Sequence, residues 1–204
     1  MYEWRAMSPR ERVDVLALRK FQRRPWHRPP HLDLGSGYYH FSAACFEHRP
    51  VIGETPQRMA DFEADLLNMA SGLSTDVHAW CILPNHYHLL VETADLKDFV
   101  KAIGKLHGRK SYEWNGGDGK RGRKVWHHSS DRAIRSERHF WVSMNYIHHN
   151  PVRHGYVDAW QDWPFSSAQR YLEDVGKEEA AKIWTEYPIR DYGKGWDDVG
   201  WQSC

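Results

Sequence analysis

Only three cysteines occur, Cys45, Cys81 and Cys204, and none pairs as Cys-x-x-Cys. An odd count, with two thiols inside apolar runs, excludes a disulfide-stapled scaffold and a cysteine zinc ribbon and fits reduced thiols in the cytoplasm. No apolar run approaches the roughly 20 residues that cross a bilayer, and the opening MYEWRAMSPRERVDVLALRK is charged throughout, without the apolar stretch of a secretory signal. A cytoplasmic protein with no membrane association is expected. Net charge is also nearly absent, at +1 over 204 residues, but the balance conceals an uneven distribution. Residues 101–138 hold eleven Lys and Arg against four Asp and Glu, whereas residues 177–204 hold four against six. The glycine-rich Asn115-Gly116-Gly117-Asp118-Gly119-Lys120 is followed by no Gly-Lys-Ser/Thr, which argues against a nucleotide-phosphate loop and leaves a connector. No internal repeat or low-complexity segment is evident.

Aromatic and basic side chains are abundant. Eleven tryptophans suit either an indole-rich core or ring faces on which unpaired bases stack, and composition does not separate the two. The length accommodates one folded domain with extensions: a basic N-terminal extension over 1–34, a domain over 35–171 and a Trp-containing acidic tail over 172–204.

Periodicity orders the elements. The extension reads as a short helix around Ser8–Gln22 followed by the extended, proline-punctuated Pro25-Trp26-His27-Arg28-Pro29-Pro30. Tyr38–Phe46 suits a central strand. Thr55-Pro56 resembles an N-cap with proline at the first helical position, and Met59, Phe62, Leu66, Leu67 and Met69 continue at helical spacing to Gly72. Strands over 76–83 and 86–92 flank Pro84-Asn85. A second helix over 96–114 turns Phe99, Ile103 and Leu106 inward and Lys101, Lys105, Arg109 and Lys110 outward. Lys124-Val125-Trp126-His127-His128 is expected as a fourth strand, and Ser136-Glu137 opens a last helix with Phe140, Met144 and Ile147 on one stripe. The order β-α-β-β-α-β plus an additional C-terminal helix predicts an α+β, ferredoxin-like domain with an antiparallel sheet.

Two features carry chemistry. His86-Tyr87-His88 lies on an expected strand, where residues two apart share a face, so both imidazoles can address one metal ion; the alternative is ordinary hydrogen-bonded histidines on a strand face. In the last helix Tyr146 and Asn150 are one turn apart and point the same way. Asn150 precedes Pro151, which is expected to end the helix, so it equally suits a turn role, with Tyr146 a semi-buried aromatic.

The segments AWCILPNHYHLLVE, WHHSSDRAIR, NYIHHNPVRHGYV and DWPFSSAQRY, in that order over about residues 36–171, resemble the REP-associated tyrosine transposases, relatives of the small single-strand transposases of the HUH nuclease superfamily. The resemblance implies that 35–171 is a catalytic domain, that His86 and His88 are the HUH pair, that Tyr146 is the nucleophile and carries the additional helix's chemistry, and that Asn150 is the third metal-binding side chain. Tyr87 between the histidines departs from the aliphatic residue common there, and strand alternation turns it away from the pair. Divalent Mg²⁺ or Mn²⁺ is the implied cofactor, nitrogen ligands favouring Mn²⁺. The implied activity is a metal-dependent endonuclease and strand transferase on single-stranded or hairpin DNA of REP-like repeats, through a covalent 5′-phosphotyrosine intermediate. Two competitors are a non-catalytic repeat-DNA-binding protein derived from a transposase, and a hydrolase in which water attacks. Monomer and homodimer both fit.

The expected phosphate-tracking surface comprises Lys101, Lys105, Arg109, Lys110, Lys120, Arg121, Arg123 and Lys124, each of which equally suits a solvated helix face. Arg23, Arg24 and Arg28 form a basic arm suited to a groove beside a hairpin. The acidic tail either packs as a Trp-anchored appendage, the simpler reading, or covers the DNA surface.

Overall fold

A computed structural model describes residues 37–194, together with Ser8 and Arg10. Apart from those two positions, the expected N-terminal helix lies outside the described residues, as do the arm with Arg23, Arg24 and Arg28 and the tail beyond Lys194.

Four strands form one antiparallel sheet in the order β2-β3-β1-β4, built from β1 (Gly37–Ala44), β2 (Asp76–Ile82), β3 (His86–Thr93) and β4 (Ser130–Ala133). This is the ferredoxin-like order that the sequence predicts. On one face lie α1 (Pro56–Gly72) and α2 (Leu96–Gly117). Thr55 and Asp95 cap them by accepting from the backbone N–H groups of Arg58 and Asp98, and Pro56 occupies the first turn of α1, where its missing N–H leaves no bond unmade. Met59, Phe62 and Leu66 of α1 meet Phe99 and Ile103 of α2 over Tyr39, Phe41, Tyr87, Leu89 and Val91 of the sheet. Burying a side chain of this size contributes roughly 1.5–3 kcal/mol.

The opposite face is covered by α3 (Glu137–Arg153), capped by Ser136, whose Met144 and Ile147 pack on Ala79, Cys81 and Leu90. Two shorter helices, α4 (Ala168–Val175) and α5 (Lys177–Glu186), follow. No helix among the described residues is long and apolar enough to cross a membrane.

Two local expectations are corrected. The fourth strand is Ser130–Ala133, not Lys124–His128. Trp126 makes only an isolated bridge to Cys45, with Phe46 N–H donating to the Val125 carbonyl (2.7 Å) and His127 N–H to that of Ala44 (2.8 Å). Its apolar side chains mark a plug at the rim of the first core rather than a strand: Val125 is buried, and the Trp126 ring stacks on His107 at 3.8 Å between ring centroids. Pro151 does not end α3 either. It sits in the last turn, which closes when His154 N–H donates to the Asn150 carbonyl (3.1 Å) and Tyr156 N–H to that of Pro151 (2.9 Å). A proline there forfeits one carbonyl's partner without breaking the chain direction.

The glycine-rich connector is clamped. Arg58 of α1 donates to both carboxylate oxygens of Asp118 (2.5 and 3.1 Å), and Arg123 donates to Asp118 (2.7 Å) and to Asn115 Oδ1 (2.8 Å). These hydrogen bonds, those of Arg58 foremost, hold the Asp118 carboxyl down to about 2. A carboxyl depressed below its unfolded value stabilises the fold above that value, and the contribution is lost as pH falls through the folded one. Asp118→Asn is therefore expected to lose about 2 kcal/mol near neutral pH, a deficit that closes as pH falls from about 4 to about 2. Urea unfolding of both proteins across that range checks it; a deficit independent of pH would refute the ion-pair account.

Candidate active site

The site begins with the pleat of β3. His86 lies opposite Ala44, and His88 lies between Ser42 of β1 and Cys81 of β2, so both imidazoles project from the centre of the sheet onto the α3 face. Tyr87 projects the other way, into the first core, with its hydroxyl 2.9 Å from His107 Nε2. Burial pushes the Tyr87 phenol well above its ordinary range and holds His107 down to about 3. A neutral pair on the far side of the sheet leaves Tyr87 no part in chemistry beside His86.

α3 supplies the other half. Its crossing over β2 and β3 sets the Tyr146 ring edge-on to His88, with ring centroids 5.3 Å apart, and brings Asn150 Oδ1 to 3.0 Å from His86 Nε2. The structure thus unites all four expected residues, with the rings of His86 and His88 5.1 Å apart. The hydrogen-bond order around His86 is informative. Asn85 Nδ2 donates to the His48 carbonyl (3.2 Å), which turns Asn85 Oδ1 toward His86 Nδ1 at 2.7 Å. That oxygen only accepts, so the ring proton resides on Nδ1 and the Nε2 lone pair faces the Asn150 carbonyl oxygen. Asn150 Nδ2 is buried without a hydrogen-bond partner, so the amide can present its N–H to the His86 lone pair when no cation is bound and its oxygen when one lies between them. Among the described residues no group of three His, Cys, Asp or Glu side chains is placed to hold a metal. Any third donor to an ion held by His86 and His88 would be the amide oxygen of Asn150, and such a two-imidazole, one-amide set would suit a divalent ion without adding negative charge.

Sequence reasoning missed three neighbours. His40 of β1 lies on the same sheet face, with Nε2 3.2 Å from His88 Nδ1; alternation along Tyr38-Tyr39-His40 carried that signal. His154 lies 4.9 Å from the His86 ring and Arg153 5.6 Å from the Tyr146 ring; Arg153 follows Asn150 by three residues, a same-face helical spacing.

Tyr146 is only 1% exposed. The segment Pro188–Lys194 after α5 runs over it as a strap. Gly193, at φ 76°, lies so close that a Cβ there would overlap the Tyr146 ring, and the Tyr192 ring stands edge-on to it with centroids 5.6 Å apart. Asn145 Nδ2 donates to the Tyr187 carbonyl (2.9 Å) and anchors the strap's start. The described part of the acidic tail therefore packs on the domain and also covers Tyr146, which combines the two expectations for it.

The expected DNA surface is reorganised. α2 lies on the face of the sheet opposite His86 and His88, so Lys101 and Lys105, exposed as expected, point away from them. Lys110 turns inward, paired with Asp65 (2.6 Å) and Glu113 (3.1 Å), and Arg123 is consumed in the Asp118 clamp; neither is on an outer face as expected. Arg109 is paired with Asp65 (3.0 Å), Arg121 lies over the Tyr112 ring (4.3 Å), and Lys124 over Phe46 (4.3 Å). The site's own face carries Arg132, level with His40 in the strand register, and Arg153.

Comparison with known proteins decides the family. Over 132 residues the chain is 32% identical to a REP-associated tyrosine transposase of Haemophilus influenzae, covering 52% of this chain and 69% of that protein. The chain belongs to the REP-associated tyrosine transposases. A second family member, from Escherichia coli K12, is 31% identical over 103 residues, covering 47% of this chain and 55% of that one. A solved family structure bound to a REP hairpin shares the fold, with a TM-score of 0.53 over 87% of this chain and 91% of that one at 20% identity. No protein-family model matches the chain.

Gly193→Ala is expected to lift the strap from this family member's site, costing about 1–3 kcal/mol in a denaturant melt and raising nitration of Tyr146 measured by peptide mass spectrometry. Unchanged labelling would show that the strap does not shield the ring.

Proposed function

We propose that this chain is a single-strand DNA nicking and joining enzyme acting at hairpin-forming, REP-like repeats, with Tyr146 as its nucleophile. The observation that carries the reading is the convergence of His86 and His88 from β3 with Tyr146 and Asn150 from α3 on one buried face. Family membership supports it, as does the solved relative's complex with a REP hairpin.

In this reading the Tyr146 oxygen, its proton removed, attacks a backbone phosphorus. The bond to the 3′ oxygen breaks, that oxygen takes up a proton, and the 5′ phosphate remains on Tyr146. The phosphotyrosine ester conserves the energy of the broken linkage, so rejoining to another 3′-hydroxyl requires no nucleotide cofactor. His86, His88 and Asn150 would hold a divalent Mg²⁺ or Mn²⁺, which when bound withdraws charge from a phosphate oxygen and lowers the barrier to attack. Arg153 beside the Tyr146 ring favours the incoming phosphate electrostatically. Substrate must arrive unpaired, since a duplex is too wide and stiff to bring its backbone up to a phenol recessed between sheet and helix. It must also displace the strap, because Tyr146 is 1% exposed beneath it. That burial equally favours a second reading, in which the chain binds repeat DNA without cutting it.

Incubation with a labelled single-stranded hairpin oligonucleotide and Mn²⁺ separates the readings. The unmodified chain is expected to form a denaturation-resistant protein–DNA adduct, and Tyr146→Phe none, with affinity held within about 2-fold. Cleavage without an adduct would indicate attack by water; binding without cleavage would establish the binding-protein reading. Arg153→Ala is expected to reduce the salt slope of DNA binding by about 1, and Lys105→Ala, on the opposite face, by less. Equal slopes would return the DNA path to α2.

A further inference from the structure

We infer that His40 is a positioning residue that sets the tautomer of His88, so that His88 Nε2 carries the lone pair available to a metal ion. The inference rests on the reading of His88 as a ligand, and it follows from a chain of hydrogen bonds whose direction is fixed at two ends by backbone groups.

The first end is the His139 carbonyl, which can only accept. Ser143 Oγ donates to it at 2.7 Å, and that uses the serine's single proton. Tyr192 Oη lies 2.5 Å from Ser143 Oγ and must therefore supply the proton between them. With its own proton committed, Tyr192 Oη can only accept from His40 Nδ1 (3.1 Å) and His139 Nε2 (3.2 Å). The second end confirms this direction: the backbone N–H of Arg135 donates to His139 Nδ1 at 3.3 Å, which leaves the His139 proton on Nε2, aimed at Tyr192. Burial also holds the His139 ring below its ordinary value and so neutral.

His40 is thereby protonated on Nδ1. Its ring is 2% exposed, and a neutral imidazole with its proton on Nδ1 presents Nε2 as an acceptor. The group 3.2 Å away is His88 Nδ1, which must donate. The last link puts the proton of His88 on Nδ1 and the lone pair on Nε2. His86 reaches the same tautomer by a separate route, through Asn85, so two independent second partners present two Nε2 lone pairs. Without His40, nothing in this chain of bonds distinguishes the two His88 tautomers, and a share of the population would carry a proton where a ligand atom is needed. Tyr192 belongs to the strap, so the segment that buries Tyr146 also terminates the bond series that orders His88.

The test uses the full chain with MnCl₂ as probe. Long-range ¹H–¹⁵N spectra of histidine-labelled protein report each ring's tautomer directly, and calorimetry reports Mn²⁺ uptake. In the unmodified protein His88 is expected to be protonated on Nδ1. His40→Leu is expected to mix the His88 tautomers and weaken Mn²⁺ binding by about 10-fold or more, whereas His40→Gln, whose amide oxygen can accept in place of Nε2, is expected to keep both within about 3-fold. Should His40→Leu fail to fold, Tyr192→Phe removes the acceptor of His40 Nδ1 and is expected to loosen the His88 tautomer in the same direction. His88 protonated on Nε2 in the unmodified protein, or unchanged tautomer and Mn²⁺ affinity in these variants, would overturn the inference. A correct tautomer with no Mn²⁺ uptake by the unmodified protein would instead overturn the ligand reading and leave the role of His40 in ordering the ring standing.

Discussion

The pleat of β3 is the constraint on which the rest depends. A strand buried on both faces must sort its side chains by parity, and here Tyr87, Leu89 and Val91 fill the α1/α2 core while His86, His88 and Leu90 face α3. Slipping the register by one residue would drive two imidazoles into an apolar core and Tyr87 into the site. The cost of burying two histidine rings without partners far exceeds the small net worth of any one hydrogen bond, so the sheet's register and the polar cluster fix one another.

That coupling explains why the second face is not simply apolar. Met144, Ile147, Ala79 and Cys81 supply the burial that holds α3 down, and the histidines, Asn150 and Tyr146 lie at one end of the same contact. Positioning is rigid because it comes from packing along the whole helix rather than from the site's own bonds. The strap adds a further layer. Gly193 combines a left-handed backbone with the absence of a side chain against Tyr146, two requirements that only glycine meets together without strain.

Four of the described tryptophans serve the core, whereas Trp184 is exposed. Trp114 and Trp126 join the first core, Trp80 Nε1 donates to Glu63 (2.6 Å), and Trp163 Nε1 donates to the Ile82 carbonyl (2.8 Å). Each buries a large ring while satisfying or exposing its single donor, which is the usual economy of indole in a core. Much of the basic middle is likewise structural: Asp118 and Asp65 gather Arg58, Arg123, Arg109 and Lys110 into clamps between α1, α2 and the connector.

The sequence by itself determined the element order, the parity of His86 and His88 against Tyr87, and the one-turn spacing of Tyr146 and Asn150, because these depend on periods of two and 3.6 residues that are local to the chain. Composition misled where the same residue types serve different ends: Val125-Trp126 read as a strand because a core plug has strand-like residues, and Lys110 and Arg123 read as a DNA surface because a cation's partner, an acid on another helix, is invisible in one dimension. Only the tertiary structure decided that His40 stands behind His88, that Arg132 shares the site's face, and that Pro188–Lys194 closes over Tyr146. Those contacts join residues dozens to more than a hundred positions apart, and they exist only once α3 has crossed the sheet and the chain has returned over it.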